Sequence, residues 1–185
     1  MTFNLLLRSI GRVLWFAVAG AIYTMIIGVF AGAITGGLLI ALLDFLSLSN
    51  TGRDIREGTM YSSIVLLYIS PVAGFFAFTI AGYFACFSKI PSQVFHRTFL
   101  SAWRAAFLGV IIGGVLGTIN ALIFGRFLLP DFLSADEWAV GYILGVIGGF
   151  VIGTFYGAIV GAKREIARQK AETKAALPVV GSAAL

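Results

Sequence analysis

Few side chains in this sequence could carry chemistry, and they lie far apart. Cys86 is the only cysteine and His96 the only histidine, which excludes an internal disulfide and a Cys/His metal cluster. Neighbouring carboxylates occur at Asp131, Asp136 and Glu137, and acids near the start of a helix explain them better than a cation site, the alternative. We therefore predict no catalytic, cofactor-binding or metal-binding residue and no enzymatic activity.

The residues give little support to two further functions, a phosphate-binding loop and the ligation of a pigment or haem. The stretch from Gly157 to Lys163 has glycines and a lysine, but it lacks the spacing and the following Ser/Thr of a phosphate-binding loop. His96 lies in a basic connection rather than deep in an apolar block, so pigment or haem ligation by it is a minor alternative.

Asn120 is the polar residue of greatest interest, because it stands inside an apolar block next to Thr118. An amide in hydrocarbon needs a hydrogen-bond partner, and such a bond between helices contributes about 0.6 to 2 kcal/mol. We predict that Asn120 joins two helices, with a pore-lining or ligand-binding role as the alternative. No Asp, Glu, Lys, Arg or His falls in the middle of any apolar block, which disfavours ion-coupled transporters and proton relays.

The elements that position these residues are four apolar blocks, each long enough to cross a membrane. The chain has 185 residues, of which 59% are hydrophobic and only 11% charged, about half the usual charged share of a soluble protein. The sequence predicts an all-α polytopic membrane protein with spans at about 13–43, 60–87, 105–124 and 138–162. Residues 1–12 are predicted to form an interfacial lead-in, and 163–185 a basic helical extension and tail. Pro71 is expected to kink the second span.

Glycine recurs at every fourth position in three of these spans. The fourth span has the longest such series, and we name as helix-packing residues Gly28, Gly32, Gly36, Gly109, Gly113, Gly117, Gly141, Gly145, Gly149, Gly153, Gly157 and Gly161. Missing side chains let another helix come close. A step of four residues drifts about 40° around a helix, so we expect the fourth helix to divide its six glycines between two partners. Close packing of the first, third and fourth spans is the arrangement this predicts.

The charges lie at the ends of the apolar blocks and indicate orientation. If both termini share one side, that side holds 10 of the 13 basic residues: Arg8, Arg12, Lys89, Arg97, Arg104, Lys163, Arg164, Arg168, Lys170 and Lys174. Lys and Arg are retained on the cytoplasmic side, so both termini are predicted to be cytoplasmic, most simply in a bacterial inner membrane. Similar Leu-Leu-(Pro)-Asp-Phe-Leu-Ser stretches end the first and third spans and suggest a duplicated hairpin.

These observations favour a partner-binding role over chemistry. We predict a non-enzymatic accessory subunit that packs against other membrane subunits, with a homo-oligomer as the second option for its partner. Anionic lipid headgroups are predicted to bind Arg97, Arg104, Lys163 and Arg164, and the placement of the charges argues against nucleic acid. The alternatives are a small channel or permease and a self-associating lipid-shaping protein. The repeated Gly-xxx-Gly spacing is similar in general style to glycine-zipper proteins and to channel subunits of mitochondrial inner-membrane translocases, and no family-specific motif accompanies it.

Overall fold

Four long helices make up the part of the chain that the computed structural model describes, which is residues 3–45, 55–86, 88, 90–128 and 137–176. They are α1 (Phe3–Phe45), α2 (Ile55–Ala85), α3 (Pro91–Leu128) and α4 (Glu137–Ala176), and these residues include no strand. The predicted all-α class is therefore confirmed. The acids Asp131 and Asp136 and the tail after Ala176 lie outside the described residues.

Each of the four helices is long and apolar enough to cross a membrane. The qualifying stretches are Leu7–Leu38, Ser62–Ala85, Pro91–Asn120 and Gly141–Ala175. At 1.5 Å per residue, the 40 residues of α4 extend about 60 Å, which is about twice the thickness of the hydrocarbon core. These lengths indicate an integral membrane protein whose helices extend beyond the bilayer.

The helices pair as two antiparallel hairpins, α1 with α2 and α3 with α4, and the hairpins meet mainly through α2 and α4. Two groups of buried residues fill the space between them, one around Phe78 and Phe16 and the other around Phe150 and Leu66. The expected close packing of α1 with α3 and α4 is wrong, because α1 packs along its length on α2 and contacts α3 only slightly.

The third helix starts at Pro91, well before the predicted start of the span near residue 105. Proline suits the first turn of a helix, because its missing N–H would have no partner there. The added segment is held by Val94, which is fully buried, and by Phe95. The ring of Phe95 lies 4.7 Å from that of Trp15 and 5.1 Å from that of Phe16. Although residues 88–104 are polar in composition, the first turns of α3 therefore pack one face against the rest of the protein.

We call the ends of α3 and α4 formed by residues 91–104 and 162–176 the basic end. Here the short connection after α2 is tied to α4 by Gln169, which accepts a hydrogen bond from the hydroxyl of Ser88 at 2.7 Å. The Gln169 amide also donates to the carbonyl oxygen of Ile90 at 3.4 Å. The predicted continuation of the fourth helix past the apolar block is present, and α4 runs to Ala176.

Candidate functional site: the α3/α4 hairpin and its outer groove

The α3/α4 interface brings glycines of the two helices face to face. A Cβ atom added to Gly109 would strike the carbonyl oxygen of Gly149, and one added to Gly145 would strike that of Gly113. A Cβ on Gly117 would meet the carbonyl oxygen of Gly141. The obstructing atoms belong to the backbone, which cannot rotate away. Only glycine fits this line, and its Cα–H groups lie near opposing carbonyl oxygens, a weak attractive contact.

The remaining ladder glycines of α4 also face α3. Gly153 faces Ala105 and Ala106, and a Cβ on Gly157 would lie 2.6 Å from the Cα of Ala102. Near the basic end, a Cβ on Gly161 would lie 2.9 Å from the Cα of Thr98.

The expectation that α4 divides its six glycines between two partners is therefore wrong. The small residues of α3 also recur every four positions. A contact line with a period above 3.6 residues stays aligned when two helices wind around each other in the right-handed sense.

The ladder of α1 faces α2 rather than a third helix. A Cβ on Gly32 would lie 2.6 Å from the carbonyl oxygen of Ser62, and Gly28 faces Ser70. Gly36 is buried. Gly20, the first glycine of this series in α1, faces the side chain of Phe78. The facing residues of α2 also recur every four positions and include both small and large side chains: Ser62, Leu66, Ser70, Gly74, Phe78 and Gly82.

The outer surface of the α3/α4 hairpin has an apolar groove of about 690 Å³. Ladder glycines form its floor, and the larger side chains along its sides are Leu108, Ile112, Leu116, Leu144, Ile152 and Tyr156. Gly148 also lines the groove, and a Cβ atom there would meet nothing within 4 Å. The groove is therefore open along α4 beside the closed glycine interface.

Asn120 lines the far end of this groove and is exposed, and its role in joining two helices stays a prediction. Its neighbour Thr118 donates a hydrogen bond to the carbonyl oxygen of Gly114 within α3, at 2.9 Å.

At the basic end a second cavity, of about 480 Å³, adjoins the groove. Four arginines and one acid line it: Arg97, Arg104, Arg164, Arg168 and Glu165. The cavity and the groove share three lining residues, Ala105, Leu108 and Tyr156. They form one continuous depression that is cationic at one end and apolar at the other.

The charges in this cavity are unequally compensated. Glu165 is only 7% exposed and lies 3.9 Å from the guanidinium of Arg97. Glu172 accepts a hydrogen bond from Arg168 at 2.8 Å. Within the described residues, Arg104 and Arg164 have no acidic partner within 4 Å.

Three of the four predicted headgroup residues line this cavity together. The exception is Lys163, whose ammonium lies over the ring of Phe84, 5.6 Å from its centroid. Arg168 was missed by the sequence reasoning, although it follows Arg164 by four residues and so shares its face.

The remaining candidates for chemistry stay apart in the structure. His96 is exposed and lines a cavity of about 450 Å³ with Ser92, Arg97 and Glu165, and the thiol of Cys86 lies 3.6 Å from the carbonyl oxygen of Ser9. Among the residues searched, which are those the structure describes, no three His, Cys, Asp or Glu side chains are grouped as a metal site would need.

Comparison with known protein families, with curated proteins and with solved structures finds no match to this chain.

Proposed function

We propose that this protein is a non-enzymatic structural subunit of a membrane complex, and that α1 is the helix that contacts its partner. The ladder glycines with described contacts face helices of this chain, so they supply the rigidity of the two hairpins. The contact with another subunit then needs a different surface. The outer face of α1 is the best candidate.

A row of seven large apolar side chains along α1 carries this proposal. They recur every four residues, and each is between 46% and 65% exposed: Leu14, Val18, Ile22, Ile26, Phe30, Ile34 and Leu38. Side chains at this spacing form a ridge that fits the grooves of a second helix. Because apolar surface alone does not drive association in lipid, the regular shape of the ridge is what favours a helix partner.

The partner favoured by this proposal is a different membrane subunit, with a second copy of the chain as the competing choice. The channel alternative receives less support, since Asn120 is exposed at the end of the outer groove and the glycine interface between α3 and α4 is closed by backbone contacts. Flux through liposomes that contain only this protein, if lost in Asn120→Leu, would favour the channel instead.

Site-specific photocrosslinking tests the proposal directly. A photoreactive residue at Ile26, on the ridge, is expected to crosslink to another membrane subunit in intact membranes. The matched control is Val115, which has a similar exposure on α3 and is expected to give only lipid adducts. Native mass spectrometry of the mildly extracted complex then identifies the partner. Adducts to lipid alone from both positions would refute the subunit role, and adducts to a second copy alone would favour the self-associating, lipid-shaping alternative.

The triple variant Ile22→Ala, Ile26→Ala, Phe30→Ala provides an independent test. It removes the centre of the ridge without touching the glycine interfaces, so complex assembly should fall while helix content and hairpin packing persist. The control triple Ile111→Ala, Val115→Ala, Ile119→Ala removes exposed apolar residues at the same spacing from α3. Equal effects of the two triples would contradict a specific role for α1.

A further inference from the structure

We infer that the depression along the α3/α4 hairpin is a binding site for one anionic phospholipid, with its phosphate at the arginines of the basic end and an acyl chain in the glycine-floored groove. The inference rests on the continuity of the two cavities through Ala105, Leu108 and Tyr156. It does not depend on which subunit contacts α1.

The headgroup position follows from the uncompensated charges. Arg104 and Arg164 line the cavity from different helices and, among the described residues, have no acidic partner. Side chains lean toward the N-terminus of their helix. In the antiparallel pair Arg104 therefore leans toward the basic end and Arg164 toward the groove, which brings both guanidinium groups to the same cavity. Two guanidinium groups suit a phosphodiester oxygen pair, because arginine binds phosphate with paired donors.

The one acid in the cavity does not oppose this assignment. Glu165 is almost fully buried beside Arg97, so its charge is offset locally. Overall the lining has four cationic side chains to one anionic side chain, and a zwitterionic headgroup would bring an extra positive charge into this surrounding. The cavity therefore favours an anionic headgroup over phosphatidylcholine.

The acyl-chain position follows from the shape of the groove. The groove begins at Ala105, next to Arg104, and its lining runs along α3 to Asn120, a distance of about 22 Å at 1.5 Å per residue. That distance exceeds the depth of one leaflet, about 15 Å. The volume of about 690 Å³ lies in the range of small-ligand pockets. Tyr156 lies at the junction of headgroup and chain, the depth at which tyrosine is enriched in membrane proteins.

Gly148 offers a way to fill the groove without disturbing the fold, since a Cβ there meets nothing within 4 Å. Because Gly109 faces Gly149, Gly148 lies opposite about residue 110 of α3. This level is about 9 Å from Arg104 along the axis of α3, on the side of the apolar groove. A leucine at position 148 would occupy the path of the acyl chain. The matched control is Gly11→Leu in α1, where an added Cβ also meets nothing.

The experiment is native mass spectrometry of the full chain in detergent, with phosphatidylglycerol and phosphatidylcholine of identical acyl chains as probes. We expect one phosphatidylglycerol per protein to be retained, in preference to phosphatidylcholine. Arg104→Gln and Arg164→Gln should each lower its retention about fivefold. Lys170→Gln removes the same charge from an exposed position outside the cavity and should change retention less than about twofold. Gly148→Leu should lower retention, whereas Gly11→Leu should not.

Several outcomes would overturn the inference. Equal retention of the two lipids by the unmodified protein would do so without any variant, and far-UV circular dichroism checks that each variant keeps its helices. Full displacement of the lipid by soluble glycerol phosphate would indicate a phosphate site rather than a lipid site. If Gly148→Leu removes a co-purifying subunit and leaves lipid retention unchanged, the groove holds a partner helix.

Discussion

In the α1/α2 hairpin, glycines face mostly side chains of the other helix, with Gly32 at the backbone of Ser62 as the exception, whereas in the α3/α4 hairpin most ladder glycines face backbone. Gly20 meets the ring of Phe78, and Gly82 meets Phe16; Gly109 and Gly149 meet each other's carbonyl oxygens. Both hairpins repeat their contacts every four residues. In the first, most obstructing atoms belong to side chains, which a second substitution can remove, but in the second they belong to the backbone, so only a movement of a whole helix makes room. The same spacing thus gives one tolerant interface and one intolerant interface.

The largest effect is expected from Gly149→Ile in the intolerant interface. The added side chain would force α3 and α4 apart, at a cost of about 3 kcal/mol or more. Reversible unfolding in mixed micelles measures the loss, and a cysteine crosslink between α3 and α4 reports the separation. The neighbouring Gly148→Ile serves as the control, because a Cβ at that position is unobstructed. Similar losses in both variants would mean that helix propensity, not contact, governs this hairpin.

A second substitution that restores stability should be possible in the first hairpin but not in the second. Gly28→Ala crowds the buried side chain of Ser70 and should cost about 1 to 3 kcal/mol. Adding Ser70→Gly removes the two nearest obstructing atoms and should restore part of the loss, with a coupling energy of about 1 kcal/mol.

No substitution at Gly113 should rescue Gly145→Ala, because the obstructing oxygen is part of the backbone. Rescue of Gly145→Ala, or its absence in the first hairpin, would remove the distinction between them.

A hydrogen bond across the first hairpin should contribute less. The hydroxyl of Thr24 donates to the carbonyl oxygens of Gly20 at 2.7 Å and Ser70 at 2.9 Å. Thr24→Val should lower the free energy of unfolding by about 0.6 to 2 kcal/mol. Thr79→Val removes a hydroxyl that bonds only within α2, and a loss as large as that of Thr24→Val would contradict the cross-helix role.

The smallest effect is expected at the basic end, where the second hairpin holds the connection from the first. Gln169→Ala removes the bonds to Ser88 and Ile90 and should cost about 1 kcal/mol. Limited proteolysis near Ser88 should accelerate, whereas Lys170→Ala, at an exposed neighbouring position, should leave the rate unchanged. An unchanged rate in both variants would show that Gln169 does not hold the connection.

The sequence was sufficient for the four helices, because their apolar blocks exceed the length of a membrane span. It was insufficient for the start of α3, where the charges of 88–104 hid a buried series that recurs every four residues: Val94, Thr98, Ala102, Ala106 and Val110. It also named Arg97, Arg104 and Arg164 without showing that they share a cavity, since that depends on how α3 and α4 align. Cytoplasmic termini and a duplicated hairpin stay predictions.

The repeat of four residues in the second hairpin has a further consequence for how α3 and α4 are aligned. Gly141, Gly145 and Gly149 face Gly117, Gly113 and Gly109; sliding one helix by four residues, about 6 Å, would again place glycine opposite glycine. The central glycine contacts would therefore be nearly the same in the two alignments. Contacts outside this interface, such as those of Gln169 with Ser88 and of Glu165 with Arg97, hold only in the observed alignment. The basic end therefore helps to select one of several similar alignments of α3 and α4.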